Sequence, residues 1–324
     1  MDYSETARWL GERDHFLIIT HLRPDGDTLG SAAGLCQGLR DKGKTAYILP
    51  NPEATERYLE YVKPYYAPEG FEPETVITVD TAGRNLFPLN IGDYGDRVEL
   101  AIDHHASHAP YAPNTCVYGK HAACGEIIYL ILCEMDVKMT ERIATALYIA
   151  IVTDTGCFRY SNTNSTTLRI CADLMEYDVP ASYLNKKFFR TKSRARIMIE
   201  SMMLANMQLF DSGTIGIVTL TNEMMKKADA TEDDTDDIAS LVGQVEGVRA
   251  SVTIRELEDG TCKISLRTGP DLNASDVCAQ LGGGGHKAAA GCTLDAGVEE
   301  SKRLILDAIQ KIRQKSRVVE EPVY

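Results

Sequence analysis

The sequence has no apolar run long enough to span a bilayer, no C-x-x-C pair and no surplus of basic residues. Each absence excludes a class of protein. A spanning helix needs about 20 consecutive apolar residues, and the opening MDYSETARWLGERDHF carries charges where a signal peptide needs an apolar core. Neither secretion nor membrane insertion is expected. Nine cysteines, an odd number scattered from Cys36 to Cys292, indicate neither a disulfide framework nor a zinc knuckle, so a reducing cytoplasm is the expected compartment. With 34 basic against 47 acidic side chains and a net charge of −13, the chain is not suited to neutralising many phosphates along duplex DNA. Short anionic ligands remain open.

What is present is an ordinary globular mixture, 44% hydrophobic and 25% charged. At roughly 150 residues per domain, 324 residues make about two domains. In the first half, short apolar runs (FLIIT at 16–20, TAYIL at 45–49, TVITVD at 75–80, ELAIDHH at 99–105) alternate with helix-like stretches at 26–43, 124–135 and 141–152. That alternation predicts an α/β fold with a parallel sheet. A basic stretch at 185–196 then leads into the Met-rich helix-like segment IMIESMMLANMQLF, read as a linker and connecting helix. The methionines suit an adaptable core or interdomain face. Beyond them, GTIGIVTL, VRASVTIREL, CKISLRT and GCTLD are strand candidates, with helices near 233–245, 273–281 and 298–313. The expected division is 1–184, a linker and connecting helix at 185–209, and a smaller α/β domain at 210–324. The acidic run 232–237 reads as a solvated helix start, with a cation site as the alternative, and only about the last ten residues look frayed.

Four places deliver acids or imidazoles to one predicted sheet edge. HLRPDGDTLGS follows the first strand and crowds His21, Asp25 and Asp27 into one turn, where open α/β sheets place ligands; the two carboxylates would also serve as turn and helix-cap residues. Gly30 and Ser31 let a backbone or an anion come close. Asp80 ends the third run, as a ligand or a cap. Asp103, His104 and His105 follow the fourth strand, with the two imidazoles pointing different ways. Asp154 continues the apolar stripe of Ile143, Leu147, Ala150 and Ile151, and a carboxylate on a buried face costs several kcal/mol unless something pairs with it. Four carboxylates (Asp25, Asp27, Asp80, Asp154) and two imidazoles (His21, His104), with no thiolate, suit two divalent ions of the Mn²⁺ kind, with Mg²⁺ or Co²⁺ as substitutes. Paired metals are an apparatus for phosphoester hydrolysis.

In the second half, LGGGGHKAAAG offers glycine amides that would wrap an anion as a nest does, with His286 as an added donor; a merely flexible loop is the other reading. Arg267, at the end of a strand candidate, has a planar fork that matches phosphate oxygens.

PDGD, a lone Asp after a strand, DHH, an Asp after a helix and then GGGGH, in that order over nearly the whole chain, resemble the DHH phosphoesterases with a C-terminal DHHA1 domain. The length is similar to that of stand-alone members of the oligoribonuclease and pAp phosphatase type. The resemblance implies that His21, Asp25 and Asp80 hold one Mn²⁺ and that Asp27, Asp80, His104 and Asp154 hold the other, with Asp80 bridging. It implies that Asp103 orients the histidines, that His105 meets the scissile phosphate, and that Arg267, Asn273, Gly283, Gly284, Gly285 and His286 bind the far end of a short RNA or nucleotide across an interdomain cleft. The expected activity is hydrolysis of short oligoribonucleotides such as pApA, or of 3′-phosphoadenosine 5′-phosphate, to nucleoside monophosphates. A cyclic di-AMP phosphodiesterase, a pyrophosphatase and a non-catalytic nucleotide sensor are the alternatives, and a homodimer is left open.

Overall fold

The computed structural model describes residues 1–235 and 238–320, and the chain forms two compact units, Met1–Thr191 and Lys192–Tyr324. In the first unit the strands are β1 Phe16–Ile19, β2 Ala46–Ile48, β3 Thr75–Val79, β4 Val98–Asp103 and β5 Asn114–Val117. They pair in parallel in the order β2-β1-β3-β4-β5. Every residue of β1 and β3 is buried, as expected of parallel strands covered on both faces. The helices are α1 Tyr3–Gly11, α2 Gly26–Asp41, α3 Glu56–Val62, α4 Cys124–Glu134, α5 Glu141–Asp154, α6 Ser165–Met175 and α7 Ala181–Asn185. The chain leaves β1 for β2 on one side, then crosses back to β3 on the other. Such a reversal opens a crevice beyond the carboxyl ends of the strands.

A row of glycines sets the spacing of the helices. Gly26, Gly30, Gly34 and Gly38 recur every four residues along one face of α2. A Cβ on Gly30 would lie 2.4 Å from the Ala146 carbonyl oxygen, and one on Gly26 would lie 2.4 Å from Thr153 Oγ1. The bare face lets α2 press on the backbone of α5, placing the start of α2, with Asp27, beside the end of α5, with Asp154. Here the close approach allowed by Gly30 is to a backbone.

In the second unit, strands β6 Gln208–Phe210, β7 Ile215–Leu220, β8 Ala250–Glu256, β9 Cys262–Thr268, β10 Gly284–Gly285 and β11 Ala289–Leu294 form one mixed sheet, ordered β10-β11-β9-β8-β7-β6. Only β7 and β8 pair in parallel. Its helices are α8 Arg194–Ala205, α9 Asn222–Ala228, α10 Ala274–Ala279 and α11 Val298–Glu320. Met203 is buried between α8 and the sheet, with Met202, Met207, Met224 and Met225 packed around it.

Several expectations change. The helix expected at 233–245 is replaced by short 3₁₀ turns at Glu232–Thr235, Ile238–Ser240 and Val242–Gln244. Asp234 accepts from the Thr231 amide at 2.8 Å and from Ser193, and Glu232 pairs with Arg255; such side-chain bonds compete with a helix. Residues 236 and 237 of the acidic run lie outside the described residues. The Met-rich segment is helical only to Ala205 and then enters β6. At the start of the basic stretch, Lys186–Arg190 is one π-helical turn that buries Phe188 in the first core. Helix α11 runs on to Glu320, with no Gly or Pro before Pro322 to stop it; residues 321–324 lie outside the described residues. Among the described residues no helix is long and apolar enough to cross a membrane.

Candidate active site

His21, Asp80 and His104 stand just beyond the carboxyl ends of β1, β3 and β4, flanking the reversal in strand order. Asp80 takes a left-handed backbone (φ 54°), which Asp tolerates better than most residues, and its amide donates to the Ile102 carbonyl at 2.8 Å. Asp25 caps α2, accepting from the Asp27 amide at 3.0 Å and the Thr28 amide at 3.2 Å. It also lies 3.6 Å from His21 Nε2, so cap and cluster member are the same residue.

Both imidazoles are held by one nitrogen and offer the other. His21 Nδ1 is 2.7 Å from the Leu22 carbonyl, leaving Nε2 at 3.6 Å from Asp80 Oδ2. His104 Nδ1 is 3.2 Å from the His121 carbonyl, leaving Nε2 at 3.4 Å from Asp80 Oδ1 and 3.6 Å from both Asp27 Oδ2 and Asp154 Oδ2. Donor atoms of His21, Asp25 and Asp80 lie within 4.8 Å of one another, as do, separately, those of Asp27, His104 and Asp154 and those of Asp80, His104 and His105. His105 differs. Its Nδ1 donates to Asp103 Oδ1 at 2.8 Å, so only Nε2 is free for a ligand.

The electrostatics call for a cation. Burial, with further repulsion from Asp154 and Asp25 against the pull of His104, lifts Asp27 to about 7. Asp154 is raised to about 6 by burial, and burial with the Asp27 charge pushes Asp80 well above the carboxylate range. His21 answers them. Burial disfavours its charge, but the bond to Asp25 and the charges of Asp25 and Asp80 prevail and raise it to about 9. Asp80 Oδ1 is buried with no hydrogen-bond partner, a condition that costs free energy unless a cation faces the oxygen. Oxygen and imidazole donors without thiolate fit a divalent ion of the magnesium or manganese class.

Asp27 does a second task. Ala123 offers α4 no side-chain cap, and the Cys124 and Gly125 amides are taken instead by Asp27 Oδ2 at 2.6 Å and Oδ1 at 3.0 Å. Asp103 is buried and accepts from the amides and side chains that follow it: His104 N at 2.8 Å, His105 Nδ1 and, on its other oxygen, His108 Nδ1 at 2.7 Å. Burial opposes its charge, but the His105 and His108 bonds hold its carboxyl below the usual range. His108 escapes the sequence reading because an imidazole three residues past the DHH triplet has no pattern of its own. Glu126 also escapes, although a lone acid in the apolar run CGEIIYLIL is the same signal that singles out Asp154.

In the second unit Arg267, Lys263, His286 and the glycine run 282–285 line an open groove of about 660 Å³. The nest reading of the glycines changes. The Gly282 and Gly283 amides bond the Ala279 and Cys278 carbonyls, and Gly284–Gly285 pairs with β11 as a short strand. The glycines are needed for contact, since a Cβ on Gly283 would lie 2.2 Å from the Gly291 carbonyl oxygen. Asn273 is not part of the groove lining; it caps α10, accepting from the Ser275 amide at 3.0 Å.

The DHH family N-terminal domain model matches residues 15–151, and the DHHA1 domain model matches 215–315. The bifunctional oligoribonuclease and PAP phosphatase NrnA of Thermus thermophilus is 32% identical over 298 residues, 91% of this chain and 89% of that protein. The chain belongs to the DHH family. An exopolyphosphatase-related protein from Bacteroides fragilis has the same fold (TM-score 0.86, 22% identity, 96% of each chain). RecJ of Thermus thermophilus in complex with Mn²⁺ is a more distant likeness, with a TM-score of 0.56 and 15% identity over 99% of this chain and 55% of that one. In this DHH chain the acid cluster lies within the first matched domain except for Asp154, just beyond its end, and the groove lies within the second.

Proposed function

We propose that this DHH protein hydrolyses phosphoester bonds in very short ribonucleotides, such as pApA, and in 3′-phosphoadenosine 5′-phosphate, releasing nucleoside monophosphates. The observation that carries the reading is Asp80, a buried carboxylate with an unpartnered oxygen among other carboxylates and two imidazole Nε2 atoms. His21, Asp25 and Asp80 would hold one divalent ion, and Asp27, Asp80, His104 and Asp154 a second, Mn²⁺ being the expected metal. When bound, such ions supply a water acidic enough to ionise near neutral pH and offset charge on the phosphate. Asp103 fixes His105 through Nδ1, leaving Nε2 to meet a phosphate oxygen or the leaving group. Arg267 and His286 would take a terminal phosphate or base, with Gly283, Gly284 and Gly285 shaping the groove and Asn273 fixing the start of α10. The 32% identity to a protein named for both activities supports the substrate pair.

The test is a kinetic panel with Mn²⁺: pAp, pApA, cyclic di-AMP, pyrophosphate and 5′-labelled RNA of increasing length. Turnover of pAp and of the shortest RNAs, abolished by chelation, is expected. Hydrolysis that survives both chelation and Asp80→Asn overturns the mechanism, and nucleotide binding without turnover of any substrate supports a sensor instead.

A further inference from the structure

Helix α4 buries a second carboxylate beside the acid cluster. Glu126 is fully buried in the first turn. Its Oε2 lies 2.5 Å from His121 Nδ1, its Oε1 accepts from the Thr167 hydroxyl at 2.6 Å, and His121 Nε2 meets the Tyr3 hydroxyl at 2.7 Å. A well-packed apolar residue often stabilises a core as well as a buried, hydrogen-bonded carboxyl group does. The position is therefore explained by what its bonds hold in place.

They hold the loop between β5 and α4 and the first turn of α4, which together bond two of the six candidate ligands directly and reach a third through Asn162. The His121 carbonyl takes His104 Nδ1, so Nε2 is the nitrogen left for the cluster. The Cys124 and Gly125 amides bind both oxygens of Asp27. The Asn162 side-chain amide bridges the Ala122 and Asp154 carbonyls, at 3.1 Å each. Fixing His121 thus fixes one imidazole directly, one carboxylate through adjacent amides, and the end of α5 through Asn162.

We infer that Glu126 and His121, braced by Thr167 and Tyr3, form a positioning unit that sets the geometry of His104, Asp27 and Asp154 for a divalent ion. The inference rests on the metal reading above. Partners of this outer kind typically change metal affinity about 10- to 100-fold.

Glu126→Gln keeps the volume but leaves one acceptor oxygen in place of two, so either Thr167 or His121 must turn from donor to acceptor and the hold on His121 weakens. Titration of Mn²⁺ into the full chain, followed by electron paramagnetic resonance, should show affinity about 10- to 100-fold weaker than wild type. The metal-free variant should still melt cooperatively, and KM at saturating Mn²⁺ should be unchanged. Thr167→Val, which loses a single hydroxyl, should fall between the two. Wild-type Mn²⁺ affinity in folded E126Q overturns the inference, and if E126Q does not fold, wild-type affinity in T167V does so. A wild-type chain that takes up no Mn²⁺ overturns the metal reading and this inference with it.

Discussion

Around Asp80, carboxylates face one another inside the first unit; around Arg267, cationic and imidazole side chains line an open groove in the second. The contrast lies in solvent as much as in sign. In the groove, water screens Lys263, Arg267 and His286, so gathering them there costs the fold little. In the cluster, Asp27 and Asp80 are almost wholly buried; burial raises both, with added repulsion from Asp154 and Asp25 at Asp27 and from Asp27 and Asp25 at Asp80. A buried cluster of carboxylates costs stability unless a cation faces it, whereas exposed cationic side chains cost little.

Substitution at Asp80 should separate the two most sharply. Asp80→Asn suits the left-handed backbone but removes the shared charge. The several kcal/mol of charge stabilisation expected of a metal centre correspond to a loss of roughly 10³-fold in kcat/KM. The same variant, freed of repulsion, should melt higher than wild type when both are metal-free. Activity within tenfold of wild type, or a lower metal-free Tm, breaks the contrast. Arg267→Ala should act through substrate alone. Loss of a charge-assisted hydrogen bond, about 1.5–3 kcal/mol, raises KM about 10- to 100-fold, with Mn²⁺ affinity and metal-free Tm unmoved. A change in Mn²⁺ affinity would mean that the two sites are not separate in function.

The glycines offer a second, smaller contrast. Gly30→Ala puts a methyl 2.4 Å from a backbone carbonyl oxygen in the α2–α5 contact, whereas Gly284→Ala meets nothing within 4 Å. Denaturant unfolding should show a loss of about 1–3 kcal/mol for the first and a change within about 0.5 kcal/mol for the second. Equal effects would refute the view that the first unit's glycines set helix spacing.

How much of this is legible in the sequence depends on the range of each interaction. Residues 16–20 and 75–80 read as strands because fully buried parallel strands are continuous β-branched and apolar runs, and the six donors stand out because each follows such a run or ends an apolar helix. β5 is missed because NTCV is short and only half buried, and α1 because its polar majority hides the apolar stripe of Ala7, Trp9 and Leu10. The capping of α4 by Asp27 joins residues 97 apart, and no local pattern carries it. The local setting of GGGGH is hidden for a related reason, since the Gly282 and Gly283 amides bond the end of α10 and Gly284–Gly285 pair with β11.

The smallest effect is on pH dependence, and the two units should titrate in different windows: the acid cluster between about pH 5 and 9, and Glu200, with the opposite sign, only below its unfolded value of 4.5. In metal-free protein, Asp27 at about 7 and Asp154 at about 6 lie above their unfolded value of 3.8. The folded state therefore binds more protons than the unfolded one between those limits, and stability falls as pH rises. His21, raised from 6.5 to about 9, has the same sign at higher pH: its contribution is full below its unfolded value and is lost as pH rises through the folded one. Glu200 in α8 behaves otherwise. Burial opposes its charge, but bonds from Lys192 at 2.7 Å and Arg196 at 2.5 Å prevail and hold it below 4.5, so its contribution is present above that value and lost as pH falls through the folded one. Calorimetry of the chelated chain should show Tm rising by a few degrees from pH 9 to pH 5, with Glu200→Gln lowering Tm about equally at both. Added Mn²⁺ competes with protons for the same carboxylates, so its stabilising shift should grow with pH. A chelated Tm that rises with pH over this range would place the excess negative charge somewhere other than the Asp80 cluster.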